Sequence, residues 1–122
     1  MQTEGKFIIK NGKVIPENDL IKWSMWLGSK EGRKDRRIGM TKLSKYHVST
    51  VFLGIDYSFR PGGVPILFET MVFENKKKIN EGPIGGKFEY HSSLEDYTER
   101  YSTLEEAKAG HKRIVREVKK LK

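Results

Sequence analysis

Two stretches near the middle of the chain decide what it can fold into. Tyr46–Ile55 (YHVSTVFLGI) and Pro65–Glu74 (PILFETMVFE) are dense in β-branched and aromatic residues, which suit extended backbone. Between them Asp56–Val64 (DYSFRPGGV) carries the Pro and Gly chemistry of a turn. A hairpin centred near Arg60 places Val51 opposite Glu69 and Leu53 opposite Leu67. Tyr46, Val48, Thr50 and Phe52 share one face of the first strand, and His47, Ser49, Val51, Leu53 and Ile55 the other. Both strands are apolar on both faces, so helices or a partner chain are expected to cover them.

The flanking segments supply further elements. Lys6–Lys10, Asn11-Gly12 and Lys13–Pro16 read as a short hairpin, because Asn-Gly provides the positive φ values of a two-residue turn. Asn18 or Asp19 caps a helix running to about Leu27, with Leu20, Trp23 and Leu27 on one face and Gly28 at its end. Trp23 and Trp26 do not fit one core strip together, which predicts one of them at the surface or at an oligomer interface. Lys30–Arg37 is read as a charged loop. Arg37–Leu43 pairs with Tyr46–Ile55 through a turn near Ser44-Lys45. Asn75–Lys87 is read as a polar connection and Lys87–His91 as an edge strand.

The last element has the clearest signal. Ser102 and Glu105 are spaced as a capping box. Leu104, Ala107, His111, Ile114, Val118 and Leu121 then recur at alternating steps of three and four, which is one helical face. The expected fold is α+β: a single domain over residues 1–122, with an antiparallel β-sheet, a short N-terminal helix and a long C-terminal helix.

Composition narrows the function. The chain has 122 residues and no cysteine, which excludes disulfide scaffolds, thiol nucleophiles and cysteine metal sites. His47, His91 and His111 lie on three different elements, so no metal is expected, and no cofactor fingerprint is present. No apolar run reaches the roughly 18 residues of a membrane span, and the start MQTEGKFIIKNGK lacks the apolar core of a signal peptide. These features predict a cytoplasmic protein with no membrane partner.

The formal net charge is +8, unevenly spread. Lys30–Lys45 carries seven basic against two acidic residues, and Lys108–Lys122 seven against one. Together these segments hold +11, leaving −3 elsewhere, a pattern that suits an anionic partner. Arg113 and Arg116 are candidates to clamp phosphate, with Phe88 and Tyr101 as stacking surfaces for a base. Arg60 and Lys22 are candidates for a second anionic site, because Gly62 and Gly63 let backbone amides approach an anion beside Arg60. Arg33 is a candidate to close over bound ligand. His111 sits on the apolar stripe and reads as a core histidine bonded to a backbone or carboxylate group. Glu69, with His47 and Ser49 on the same face, hints at a hydrolase, but no nucleophile elbow or metalloprotease motif accompanies it. A satisfied structural carboxylate at a subunit contact is the simpler account.

Val48–Asp56 (VSTVFLGID), Phe68–Phe73 (FETMVF) and Tyr101–Ala107 (YSTLEEA) with Gly110-His111 resemble a family of small bacteriophage proteins, the Thoeris anti-defence proteins of the first type. These blocks cover about half of the chain. The resemblance implies a non-enzymatic sponge in the host-cell cytoplasm. It would bind cyclic ADP-ribose-type immune signals, and also cyclic oligonucleotides, without cleaving them, as a homo-oligomer (dimer or hexamer) with pockets near subunit interfaces. The alternative is a phage-encoded basic module that binds nucleic acid or a protein partner. Direct nucleic-acid binding is less favoured, because no helix-turn-helix, RRM or zinc pattern is present.

Overall fold

The computed structural model describes residues 5–58, 63–75, 78–81, 87–90 and 97–121, with side chains except in 78–81 and 87–90. The chain opens with a hairpin of β1 (Phe7–Lys10) and β2 (Lys13–Pro16). Asn11 and Gly12 both take positive φ in its turn, as the dipeptide predicts. Two short helices follow, α1 (Leu20–Gly28) and α2 (Lys30–Asp35). Strands β3 (Arg37–Lys42), β4 (Tyr46–Phe52) and β5 (Phe68–Glu74) come next, then β6 (Lys78–Glu81), β7 (Lys87–Tyr90) and β8 (Glu99–Tyr101). The helix α3 (Leu104–Lys119) closes the chain.

The central sheet is antiparallel in the order β3-β4-β5-β8, and among the described residues β6 and β7 pair with each other. The architecture is α+β with antiparallel sheets and a C-terminal helix. Val51 stands opposite Glu69, as the hairpin expectation requires. The Leu53 amide donates to the Leu67 carbonyl at 2.7 Å, carrying that register one step further. The N-terminal hairpin is tied to the end of β4 by a bridge between Lys6 and Ile55.

Several expectations are corrected. Lys30–Asp35 is a helix rather than a loop: the Ser29 hydroxyl accepts from the Gly32 amide at 2.9 Å and caps it. Segment 78–81 is a strand, although KINE carries too little alternation to announce one. β8 has three residues, too few for periodicity to reveal. The capping box of α3 lies one residue later than expected, on Thr103 and Glu106. The sequence STLEE satisfies the motif in both phases. Pairing of Tyr101 with Phe68 keeps the chain extended up to Ser102, which selects the later phase.

Leu20 is 61% exposed, not on the buried side of α1. Both tryptophans pack inward instead. Trp23 donates its indole N–H to the Gly54 carbonyl at 2.9 Å, and Trp26 meets Phe52 edge-on at 5.9 Å. Trp23, Trp26 and Leu27 are spaced i, i+3, i+4, so a single face accommodates both rings.

The inner face of the sheet lies under α3 in three rows. Phe52 and Phe68 form one end with Tyr101 and Ala107, and Val48 and Val72 form the other with Ile114 and Val118. Each of these large apolar side chains contributes roughly 1.5–3 kcal/mol by leaving water. The middle row is polar. Thr50 and Thr70 face each other with hydroxyls 2.5 Å apart, and His111 sits above them. His111 Nδ1 meets the Thr50 hydroxyl at 2.8 Å and Nε2 the Thr41 hydroxyl at 2.9 Å. The partners of this core histidine are therefore threonines rather than a backbone or carboxylate group. The Thr70 hydroxyl continues to the Tyr101 hydroxyl, which donates to Glu99 Oε2 at 3.0 Å.

The outer face, with His47, Ser49, Val51, Glu69, Met71 and Phe73, is half-buried. Among the described residues α3 covers the inner face.

Gly110 lies against the Tyr101 ring, and a Cβ at that position would sit 2.2 Å from the hydroxyl oxygen. Helix propensity alone favours Ala over Gly by about 1 kcal/mol. Gly110→Ala will nevertheless destabilise the protein, by about 1–3 kcal/mol from overpacking, read as a lower denaturation midpoint. Burial lowers the pKa of His111 below its ordinary 6.5. The unfolded chain therefore binds this proton more readily than the folded one. Stability from this group is full above 6.5 and is lost as the pH falls through the lower folded value. Urea titrations between about pH 7 and pH 5 will show that loss, and His111→Gln will flatten it.

Candidate functional site

The cations of the first basic segment converge because of their spacing. Arg33 and Arg36 are related as i and i+3, which places them on one side of α2 and its end, and Arg37, the first residue of β3, follows directly. They line a groove of about 350 Å³ with Val51, Phe52 and Leu53. None of these six residues is acidic. The volume falls in the range of small-molecule sites, about 300–1,000 Å³. Arg33 and Arg37 are exposed, whereas Arg36 is partly buried. Arg36 has a structural duty: Nη2 donates to the Leu27 carbonyl at 2.8 Å and joins the end of α1 to the end of α2.

The helix α2 sorts its charges. Glu31, Lys34 and Asp35 line a second cleft, of about 620 Å³, with Ile8, Ile9, Lys10 and Trp26 under the hairpin. Arg33, Arg36 and Arg37 line the first groove, so among its described lining residues the charge is positive.

The row of the sheet beside the groove is an extension of the same surface. Val51 stands opposite Glu69, and Glu69 opposite Arg100. Arg100 Nε donates to Glu69 Oε2 at 2.9 Å, and its guanidinium lies 5.4 Å from the Tyr57 ring centre. Glu69 is thus a carboxylate satisfied by a cation. His47 is two rows away on that face, stacked on Phe73 at 5.0 Å and bonded to Asn75 Oδ1 at 2.9 Å. The grouping of Glu69, His47 and Ser49 as a catalytic cluster does not form.

The other sequence candidates are dispersed. Arg113 directs both terminal nitrogens to the Glu99 carboxylate, and that pairing holds the Glu99 carboxyl below the usual carboxylate range. Its fork is therefore occupied by Glu99 rather than open to phosphate. Tyr101 is a core residue against Gly110, with no face open for a base, and burial pushes its hydroxyl pKa up. Arg116 is exposed on α3 and Lys22 on α1, and neither lines the arginine groove. Phe88 belongs to β7, whose side chains lie outside the described set, and Arg60 and Gly62 lie outside the described residues. Among the described candidates only Arg33 lines the groove. Arg36 and Arg37 add to the charge of this segment without standing out as site residues in the sequence. For Arg36 a signal exists in Ser29-x-x-Gly32, a cap that turns a charged loop into a helix and gives Arg33 and Arg36 a common side.

The Arg36 contact is separable from binding. Arg36→Ala will lower stability by about 1–2 kcal/mol, through loss of a charged hydrogen bond to a helix-end carbonyl, whereas Arg33→Ala will leave the denaturation midpoint within error. Thermal melts of the two variants check the contrast. Compared with known proteins, the chain matches no family model, and no curated protein and no solved structure matches it.

Proposed function

We propose that the protein binds an anionic, nucleotide-type small molecule and holds it without cleaving it. The observation that carries this reading is the groove in which Arg33, Arg36 and Arg37 meet an apolar floor of Val51, Phe52 and Leu53. The guanidinium forks of Arg33 and Arg37 match the paired oxygens of a pyrophosphate, with Arg36 held by the Leu27 and Gly32 carbonyls beside them, and the side chains of Val51 and Leu53 accept the flat face of a base or a ribose edge. The resemblance of Val48–Asp56, Phe68–Phe73 and Tyr101–Ala107 to the phage Thoeris anti-defence proteins of the first type makes the reading specific. On it the ligand is a cyclic ADP-ribose-type immune signal, with cyclic oligonucleotides as a related class, and the site of action is the cytoplasm of the infected cell. Binding without turnover is supported by the engagement of His111 with two threonines and of His47 with Asn75 and Phe73.

The chain 1–122 acts as one binding domain within a homo-oligomer. Leu20, Ile21 and Met25 on α1, which are 61%, 71% and 70% exposed, are apolar surface that such an assembly would cover.

A second reading has its own observation. Lys108, Lys112, Arg116 and Lys119 are exposed along one side of α3, an arrangement suited to a phosphate backbone. Salt separates the two readings: duplex binding falls steeply with ionic strength, and a groove holding one small ligand responds much less.

The protein will be mixed with cyclic ADP-ribose, freed of unbound ligand and denatured, and the released mass measured. Recovery of the intact ligand is expected; a linearised product would establish an enzyme instead. Arg33→Ala and Arg37→Ala will each weaken binding by about tenfold or more, the value of a charged hydrogen bond. Unchanged affinity in both variants removes the groove from consideration.

A further inference from the structure

The third arginine of the groove owes its place to a one-residue irregularity in the sheet. β3 and β4 pair Lys42 with His47, Thr41 with Val48, Met40 with Ser49 and Gly39 with Thr50, and then Arg37 with Val51. Ile38 is the extra residue of a β-bulge. In an uninterrupted ladder Ile38 would stand opposite Val51 on the outer face, and Arg37 opposite Phe52 on the core face. The bulge reverses both. Ile38 packs against the core around Phe7, Phe52 and Phe68, and Arg37 turns out beside Val51 into the groove. The Arg36 carbonyl then accepts the Phe52 amide at 2.8 Å, closing the ladder beyond the irregularity.

The bulge is seated from the other side of the sheet. A Cβ at Gly39 would lie 3.0 Å from His111 Cε1 and 3.1 Å from both ring nitrogens, so the imidazole edge rests on the bare glycine backbone. Those nitrogens are held by Thr41 on β3, two residues from Gly39, and by Thr50 on β4, directly opposite it. One ring therefore straddles both strands where their pairing changes phase. A β-bulge beside a binding surface commonly re-aims a side chain.

We propose that His111 is a positioning residue for the anion groove: packed on Gly39 and bonded to Thr41 and Thr50, it fixes the bulge that puts Arg37 on the ligand side of the sheet. This rests on the groove reading above, but the register that it predicts can be measured without any ligand. Without the ring, the hydroxyls of Thr41 and Thr50 lose their shared partner and Gly39 loses the contact that pins it. The opposite intrusion, a methyl group at position 39, pushes the bulge off the ring.

The test uses the full chain with Gly39→Ala, His111→Gln and Val118→Ala. Val118→Ala removes a buried contact of α3 with the sheet, away from the bulge, and serves as the control for a purely structural loss. Two quantities are read: cross-strand NOEs between Arg37 and Val51, and the dissociation constant for ADP. Gly39→Ala and His111→Gln are expected to lose the NOEs and to weaken ADP binding by about tenfold, the loss of one charged hydrogen bond. Val118→Ala is expected to lower the melting temperature while keeping both. Should Gly39→Ala not fold, His111→Gln gives the same two readings. The proposal is overturned if the variants that fold retain the Arg37–Val51 contacts, or if Val118→Ala loses them equally. Should Arg37→Ala leave ADP binding unchanged while the NOE pattern follows expectation, the groove reading fails and the seating of the bulge by His111 stands.

Discussion

The structure turns on a polar layer set between two apolar ones. Under α3, Thr50, Thr70 and His111 separate the Phe52 and Phe68 end of the core from the Val48 and Val72 end. Buried hydroxyls and an imidazole cost free energy unless their hydrogen bonds are complete. Here each has a partner, and no buried side-chain polar atom lacks one among the described residues. Glu99 can only accept, so Tyr101 donates to it, and the hydroxyls of Thr70, Thr50 and Thr41 complete the row around His111. An apolar core tolerates small slips of a helix over a sheet. A core with a directional polar row does not, because every slip leaves donors unmatched.

That constraint explains what the sequence made legible. The β4–β5 hairpin could be read from its β-branched and aromatic strands, and its register from a turn centred near Arg60, which sets Val51 opposite Glu69. The long helix could be read from its stripe, and His111 stood out as the one polar member. Its role as a core histidine was legible, but its threonine partners were not, since they come from two strands whose placement under the helix is a tertiary fact. β8 was invisible for a related reason. Glu99, Arg100 and Tyr101 form a strand only because β5 offers an edge and Glu69 offers Arg100 a carboxylate.

The candidate site was legible only in part. The charge of residues 30–45 pointed to an anion, and Arg33 is where that reading and the structure meet. Arg113 and Tyr101 misled because their chemistry is right and their surroundings are not. Arginine near aromatics suits a nucleotide, yet the Glu99 carboxylate and the Gly110 backbone already occupy them. Residue type gives a capacity, and only packing shows whether that capacity remains open. Arg37 illustrates the converse. Its outward position follows from a one-residue bulge, and no local periodicity announces an inserted residue when Ile38 is as apolar as a normal ladder position would allow.

The groove and the polar layer are then consequences of a single choice of register. With Gly39 opposite Thr50, the hydroxyl of Thr50 lies under His111 and the sheet acquires its polar row. The same pairing leaves Ile38 as the odd residue, sends it into the core, and brings Arg37 out beside Arg33 and Arg36. A three-arginine surface repels itself, and exposed loops carrying such charge tend to splay apart. The cost is lowered here because Arg36 is bonded to the end of α1 and Arg37 is fixed in a ladder, which leaves Arg33 as the freest of the three. A ligand entering the groove therefore meets two guanidinium groups whose backbones are already ordered. Less conformational entropy is lost on binding than for three mobile arginines. On the proposed reading, that preorganisation, rather than the number of positive charges, is what favours this face over the four solvated cations along α3.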